Sequence, residues 1–225
     1  MKRHLSIALA LALLVTGCAK KKRTAQVPGA PRAAAVMPHV GDEEVGIASW
    51  YGYPYHGRRA ANGEVYDMEK LTAAHRTMAF GTIVQVLNLT NDRSVDVRIT
   101  DRGPFVDGRV IDLSRAAARE IQLLGPGTAK VRLRVITLPQ QIPVGAFAVQ
   151  VGAFKERANA DRLSKELEGR YGRARVVLRD GNPPVWRVLI GDEKTAEAAA
   201  ALAGRIKNDA AHAFVVRVDA PESNL

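Results

Sequence analysis

The sequence predicts a mainly β domain followed by an α+β domain, on two observations. The first is a run of short alternating strands with one helix; the second is an internal duplication behind it. Shifting the chain by 39 positions lays Phe147 on Trp186, Val149 on Val188, Val151 on Ile190 and Gly152 on Gly191. The same shift lays Ala160 on Ala199, Leu163 on Leu202, Leu167 on Ile206 and Val176 on Val215. Each copy alternates with period two, then spaces its apolar residues as a helix does, then alternates again. Two copies give βαββαβ over residues 145–219, a four-stranded antiparallel sheet with two helices on one face and the other face open.

In the usual packing of this motif the first and third strands are central. Val149, Val151, Val188 and Ile190 then point to the helices, while Gln150, Gly152, Arg187 and Leu189 share the open face. That face is either a binding platform or a plain solvated surface.

Residues 44–138 read as the mainly β domain. Gly46 to Tyr51 opens it, and Thr82–Leu89 and Arg93–Thr100 form a hairpin turning at Asn91-Asp92. Thr128 to Thr137 closes it with Val131, Leu133 and Val135 on one face. One helix fits Leu113 to Ile121, with Asp112 or Ser114 as its cap. Many short strands and one helix suggest a small barrel. Counting by two along the second hairpin strand, Asp101 continues the apolar face of Val95, Val97 and Ile99. A carboxylate there is disfavoured unless it is paired or protonated, and a held proton is what a general acid needs. On the residues alone the plainer reading is favoured, an Asp accepting hydrogen bonds from the Arg102-Gly103-Pro104 turn.

Residues 1–17 begin with Lys2 and Arg3 and continue in an apolar run from Leu5 to Val15, shorter than the roughly 20 residues that span a bilayer. Leu14-Val15-Thr16-Gly17-Cys18 ends the run with small residues and the chain's single cysteine. This resembles a bacterial lipoprotein signal, which implies cleavage before Cys18, lipidation of Cys18 as a membrane anchor, and a disordered tether over 18–43. Ala19, where an inner-membrane lipoprotein would carry Asp, implies the outer membrane. One cysteine leaves no internal disulfide, so the domains depend on packing. Of the net charge of +10, half lies in residues 1–43, and 44–138 and 145–219 each carry +3. Neither domain has a nucleic-acid-sized basic stripe, so a nucleic-acid partner is excluded, whereas a mildly basic body suits an anionic cell wall. A linker over 139–144 and a tail over 220–225 complete the chain.

Phe147-Ala-Val-Gln-Val-Gly-Ala-Phe154, Asn159-Ala-Asp-Arg-Leu163 and Trp186-Arg-Val-Leu-Ile-Gly191 resemble a SPOR domain. The resemblance implies binding to peptidoglycan glycan strands stripped of stem peptides, and hence enrichment at the division septum. Its sheet-face contacts fall on Gln150 and Arg187, with Gly152, Phe154 and Leu189 beside them; Trp186 shares the core parity.

Ser49-Trp-Tyr51, Asn62-Gly-Glu64, Leu71-Thr-Ala-Ala-His-Arg76, Asp101-Arg-Gly-Pro-Phe105 and Arg109-Val-Ile-Asp-Leu-Ser114 resemble the rare lipoprotein A family. That implies a six-stranded double-psi β-barrel, a septal lytic transglycosylase activity and no cofactor. The five histidines, at 4, 39, 56, 75 and 212, are scattered without ligand spacing for a metal. Carried over by motif, the catalytic candidates are Asp101, Glu64 and His75, with Asp101 as acid and then base, and Glu64 steadying positive charge or orienting the attacking hydroxyl. Trp50 and Tyr51 either stack on sugars or fill the barrel. Arg102 and Arg109 are structural or touch the substrate's lactyl group, and Asp112 is a cap. Ala60, Met78-Ala79 and Thr100 depart from the family's usual Thr, Leu-Pro and Asn, which bears on activity rather than fold. The alternative is a non-catalytic septal glycan-binding lipoprotein.

Overall fold

A computed structural model of the chain describes residues 38–141, 146–179 and 184–219. The leader and Cys18 lie outside the described residues.

Six strands close a barrel: β1 (Glu43–Tyr51), β2 (Thr72–His75), β3 (Ile83–Asn88), β4 (Ser94–Asp101), β5 (Arg109–Ser114) and β6 (Ala129–Thr137), in the order β1-β5-β2-β4-β3-β6. β1 runs parallel to β5 and β2 parallel to β4, and the other neighbours are antiparallel. Alternation explains the core. Val84 and Val86, Val95, Val97 and Ile99, and Val131 and Leu133 project into one buried cluster. The β3–β4 hairpin turns where expected, with Asp92 at φ 57° and its N–H donating to the Asn88 carbonyl at 2.9 Å. Gly46 in β1 is required by contact, because a Cβ there would meet Val110 of β5 at 2.3 Å.

The helix is shorter than its pattern implied. Residues 109–114 form β5, threaded between β1 and β2, and only Arg115–Glu120 is helical (α1). Ser114 is the cap, its Oγ accepting from Ala117 N at 3.2 Å. Asp112 therefore lies in a strand and caps nothing, which corrects its assigned role.

The second domain has the repeat's element order: β7 (Ala146–Phe154), α2 (Arg157–Tyr171), β8 (Ala174–Arg179), β9 (Val185–Glu193), α3 (Ala196–Ile206) and β10 (Phe214–Val218). Its antiparallel sheet is ordered β10-β7-β9-β8, with the first and third strands central. Val149, Val151, Val188 and Ile190 pack with Ala160, Leu167, Leu202 and Ile206 of the helices. A register shift between Gln150 and Gly152 alters the parity that follows. A Cβ on Gly152 would meet Leu163 of α2 at 3.1 Å, and Phe154 packs into the helix-side cluster. Gly152, placed on the open face by alternation, and Phe154, placed beside it by the resemblance, thus leave that face.

Candidate active site

The chemistry-bearing groups of the barrel gather on the seam β4-β2-β5. Ala73 of β2 is opposite Ile99 and Leu113, and all three lie in the core. The next residue, Ala74, is opposite Asp101 on one side and Asp112 on the other. A register shift between Ala73 and Ala74 takes Asp101 out of the apolar series of Ile99. Strict alternation had assigned Asp101 to the core face; the bulge turns it to the outer face of the seam. Two carboxylates thus flank one small alanine, their Cα atoms about 10 Å apart across two strand spacings.

Asp101 is nonetheless only 5% exposed. Its Oδ1 accepts from Arg102 N at 2.8 Å and Ala61 N at 3.1 Å, so the turn contact and an ion pair are both present. The pair comes from the second domain: Arg179 Nη2 lies 3.2 Å from Oδ1 and 3.0 Å from Oδ2. Asp112 accepts from Ser49 Oγ at 2.6 Å and from Arg109 Nη2 at 3.1 Å. Burial pushes its carboxyl above the usual range, outweighing those two contacts, and the neighbouring Asp101 charge adds to the rise. Beside them the Tyr51 ring stacks on Tyr66 at 4.4 Å. Burial, and then the charge of Asp101, push both phenols well above their ordinary value. The Tyr51 hydroxyl is buried and has no hydrogen-bond partner.

The other candidates stand apart. Glu64 closes a turn in which Ala60 N donates to its carbonyl at 2.8 Å. Its half-exposed carboxylate pairs with both Arg98 Nη atoms at 2.8 and 2.7 Å, which holds it below the usual carboxylate range. His75 is buried, with Nε2 2.9 Å from Glu44 Oε2. Its Nδ1 accepts from Thr77 N and Met78 N, which puts the ring proton on Nε2, toward Glu44. Burial raises the Glu44 carboxyl, but the His75 hydrogen bond and the His75 and Arg76 charges outweigh it and leave it lowered. His75 and Glu44 face a cleft of about 530 Å³ that reaches Lys207 and His212 of the second domain. Among the described residues no hydrogen bond joins any two of Asp101, Glu64 and His75. Trp50 packs on the barrel core.

Arg102 is 4% exposed and serves the domain contact, not an open substrate surface. It donates to Met78 O at 2.9 Å, His75 O at 3.3 Å and Arg217 O at 3.2 Å, and it pairs with Asp219. Its guanidinium lies 3.7 Å from the Phe80 ring centroid, and burial pulls its pKa down to about 10. Arg217 N returns a hydrogen bond to Arg76 O at 2.9 Å. Phe105 packs into a cluster with Ala148, Leu189 and Val216 from the open sheet face. Gln150 and Leu189 are accordingly 3% and 2% exposed. Arg187, pushed down to about 10 by burial and then by the nearby Arg179 charge, lies close enough to feel Asp101.

Sequence reasoning missed Asp112, Ser49, Tyr66 and Arg179 as members of this site. Strand alternation offered a trace for Asp112, which separates Ile111 from Leu113; nothing local marked Arg179.

Residues 43–133 match the family model described as lytic transglycolase, and residues 143–217 match the SPOR domain. Among curated proteins, the endolytic peptidoglycan transglycosylase RlpA of Campylobacter jejuni is 43% identical over 56% of this chain and 54% of its own. The RlpA of Helicobacter pylori strain J99 is 35% identical over 71% of this chain and 60% of its own. That of Vibrio cholerae is 53% identical over 44% of this chain and 37% of its own. The chain spans about half the length of the curated relatives it matches. Among solved structures, an expansin of Clavibacter michiganensis aligns over 80% of this chain and 92% of its own at 14% identity, with a TM-score of 0.37, too slight a likeness to carry an argument.

Proposed function

Because the chain belongs to the rare lipoprotein A family, a lytic transglycolase barrel joined to a SPOR domain, we propose that it cleaves MurNAc–GlcNAc bonds of peptidoglycan as a lytic transglycosylase. The observation that carries the reading is the seam on which Asp101 and Asp112 flank Ala74. One carboxyl suffices for the two proton transfers. Asp101, protonated, gives its proton to the glycosidic oxygen as the C1–O bond breaks and positive charge develops on the sugar ring. The resulting carboxylate takes the proton of the same sugar's C6 hydroxyl as O6 bonds to C1. A 1,6-anhydro end forms, no water is consumed, and Asp101 is protonated again. Asp112, whose carboxyl burial pushes above the usual range, is the second acid of the seam. Tyr51, partly buried and backed by the stacked ring of buried Tyr66, is the aromatic group of the seam nearest a sugar. Glu64 on the neighbouring turn steadies the developing charge or orients the C6 hydroxyl.

The preferred substrate is a glycan strand freed of stem peptides, because the SPOR domain would hold such strands. The chain would act in daughter-cell separation, tethered through lipidated Cys18 to the outer membrane, facing the periplasm and enriched at the septum. Amidase-treated, stem-free sacculi incubated with the two-domain chain should release anhydro-MurNAc products visible by mass spectrometry. Asp101→Asn should abolish them. Equal product from that variant, or none from wild type, would leave the non-catalytic glycan-binding reading, which the paired and covered state of Asp101 favours.

A further inference from the structure

We propose that the open face of the second domain and the carboxylate seam of the barrel cover one another in a self-docked resting state, which a glycan strand must displace before either surface can work. The inference rests on the reading of Asp101 as the catalytic acid.

Three observations carry it. Both oxygens of Asp101 are engaged by Arg179 of β8, so the group that must reach a glycosidic oxygen is instead held by a side chain of the same protein. The segment that follows is covered too: Arg102 pairs with Asp219, and Phe105 lies against Ala148, Leu189 and Val216. The contact is also poorly satisfied where it matters. Gln150 Oε1 and Arg187 Nε, on the two residues where the SPOR resemblance places glycan contacts, are buried without hydrogen-bond partners, and so is the Tyr51 hydroxyl at the barrel site. Unmet polar atoms on both sides raise the free energy of the docked state. A ligand rich in hydroxyls would pair with them.

The displacing ligand is recognisable by its chemistry. A strand without stem peptides exposes sugar hydroxyls along its length, which can donate to Gln150 Oε1 and accept from Arg187 Nε once the two surfaces part. Binding and uncovering would then be one equilibrium, because a ligand that holds only the undocked form shifts the population toward it. The barrel would stay covered until its partner domain had found the substrate.

The test compares wild type, Arg179→Ala and Arg179→Lys in the two-domain chain, using soluble stem-free glycan strands as the probe. Removing the cation should tighten strand binding by about threefold or more, since a larger share of molecules is already undocked, and should raise the initial rate of anhydro-product release. Lys at 179 should return both toward wild type. Hydrogen exchange of the amides of Arg102, Gly103 and Phe105 gives a readout independent of catalysis. In wild type it should rise when strands are added, and in Arg179→Ala it should be raised beforehand while the barrel strands stay protected. Unchanged exchange at Arg102, Gly103 and Phe105 on adding strands would overturn the proposal. So would weaker binding and slower product from Arg179→Ala, which would make Arg179 a substrate contact. If exchange and affinity respond but no version yields Asp101-dependent product, the docking stands and the catalytic reading fails. If Asp101-dependent product forms with no response to Arg179→Ala or to strands, the catalytic reading stands and the docking fails.

Discussion

Replacing Gln150 with Leu should make the protein more stable and a poorer glycan binder at once. Gln150 is 3% exposed, its Oε1 has no hydrogen-bond partner, and it sits beside Leu189 on the docked face. An unpaired buried carbonyl costs about 1–3 kcal/mol, whereas an apolar group of the same shape carries no such penalty. Leu is close in volume to Gln and joins Ala148, Leu189 and Val216, so little repacking is needed. The expected gain is about 1–2 kcal/mol, or roughly 2–8 °C in a chain of this size. The two tryptophans make the assay specific to a domain: Trp186 reports the sheet and Trp50 the barrel. Urea unfolding in a Trp50→Phe background therefore follows the second domain, and glycan co-sedimentation follows binding. The variant should move the first upward and the second downward. A loss of more than about 1 kcal/mol would refute the reasoning, because it would mean that Oε1 is satisfied, for example by an ordered water. A merely unfolded variant would lose both properties, so the opposed signs are the informative result.

Two further outcomes follow from the charges. Burial raises the Asp112 carboxyl, so its ionised form is penalised in the fold; that penalty is present above the raised value and is relieved as pH falls through it toward the ordinary 3.8. Asp112→Asn should thus match or exceed wild-type stability at pH 7, lose that advantage below about pH 4, and cost about 100-fold in anhydro-product formation, read by urea midpoint and product assay. Glu44 has the opposite sign: its folded value is lowered, so its contribution is complete above the ordinary 4.5 and is lost as pH falls through the folded value. The stability gap between wild type and Glu44→Gln should accordingly close as pH falls from about 5 to 3, while a constant gap would show that the His75 pair contributes nothing.

How much could be read beforehand depended on how local the cause was. The hairpin at Asn91-Asp92 and the strand–helix–strand copies were legible because alternation and a 39-residue offset are properties of neighbouring residues. The stretch from Arg109 to Ser114 was not: Leu113, Ala117 and Ile121 recur every fourth residue as on a helix while Ile111 and Leu113 alternate as in a strand, and only the flanking β1 and β2 decide. Thr72–His75 has four consecutive buried residues and so no alternation to detect. The side taken by Asp101 was lost to one bulge. The active-site partnerships were further out of reach. Ser49 meets Asp112 across 63 residues and Arg179 meets Asp101 across 78, through strand order in one case and domain docking in the other. The motifs supplied the residue types, and tertiary structure supplied their partners.

The docking contact also carries information about its own orientation. Consecutive barrel residues of opposite charge, Asp101 and Arg102, meet opposite charges at the two edges of the sheet: Arg179 at the end of β8 and Asp219 just past β10. Turning the sheet by half a revolution about its normal would exchange those edges. Arg179 would then face Arg102 and Asp219 would face Asp101, an arrangement that like-charge contact makes costly by several kcal/mol. The apolar cluster around Phe105 cannot discriminate in this way, because non-directional burial tolerates either sense. A duplicated sheet is the case in which such discrimination is needed, since its two halves share one backbone plan. The 39-residue offset lays Arg179 on Val218 and Asp180 on Asp219, so the cation of the first copy has no equivalent in the second. The repeat is broken at the edge that reaches Asp101. Its charge pattern therefore determines which carboxylate is covered, while the apolar patch contributes affinity.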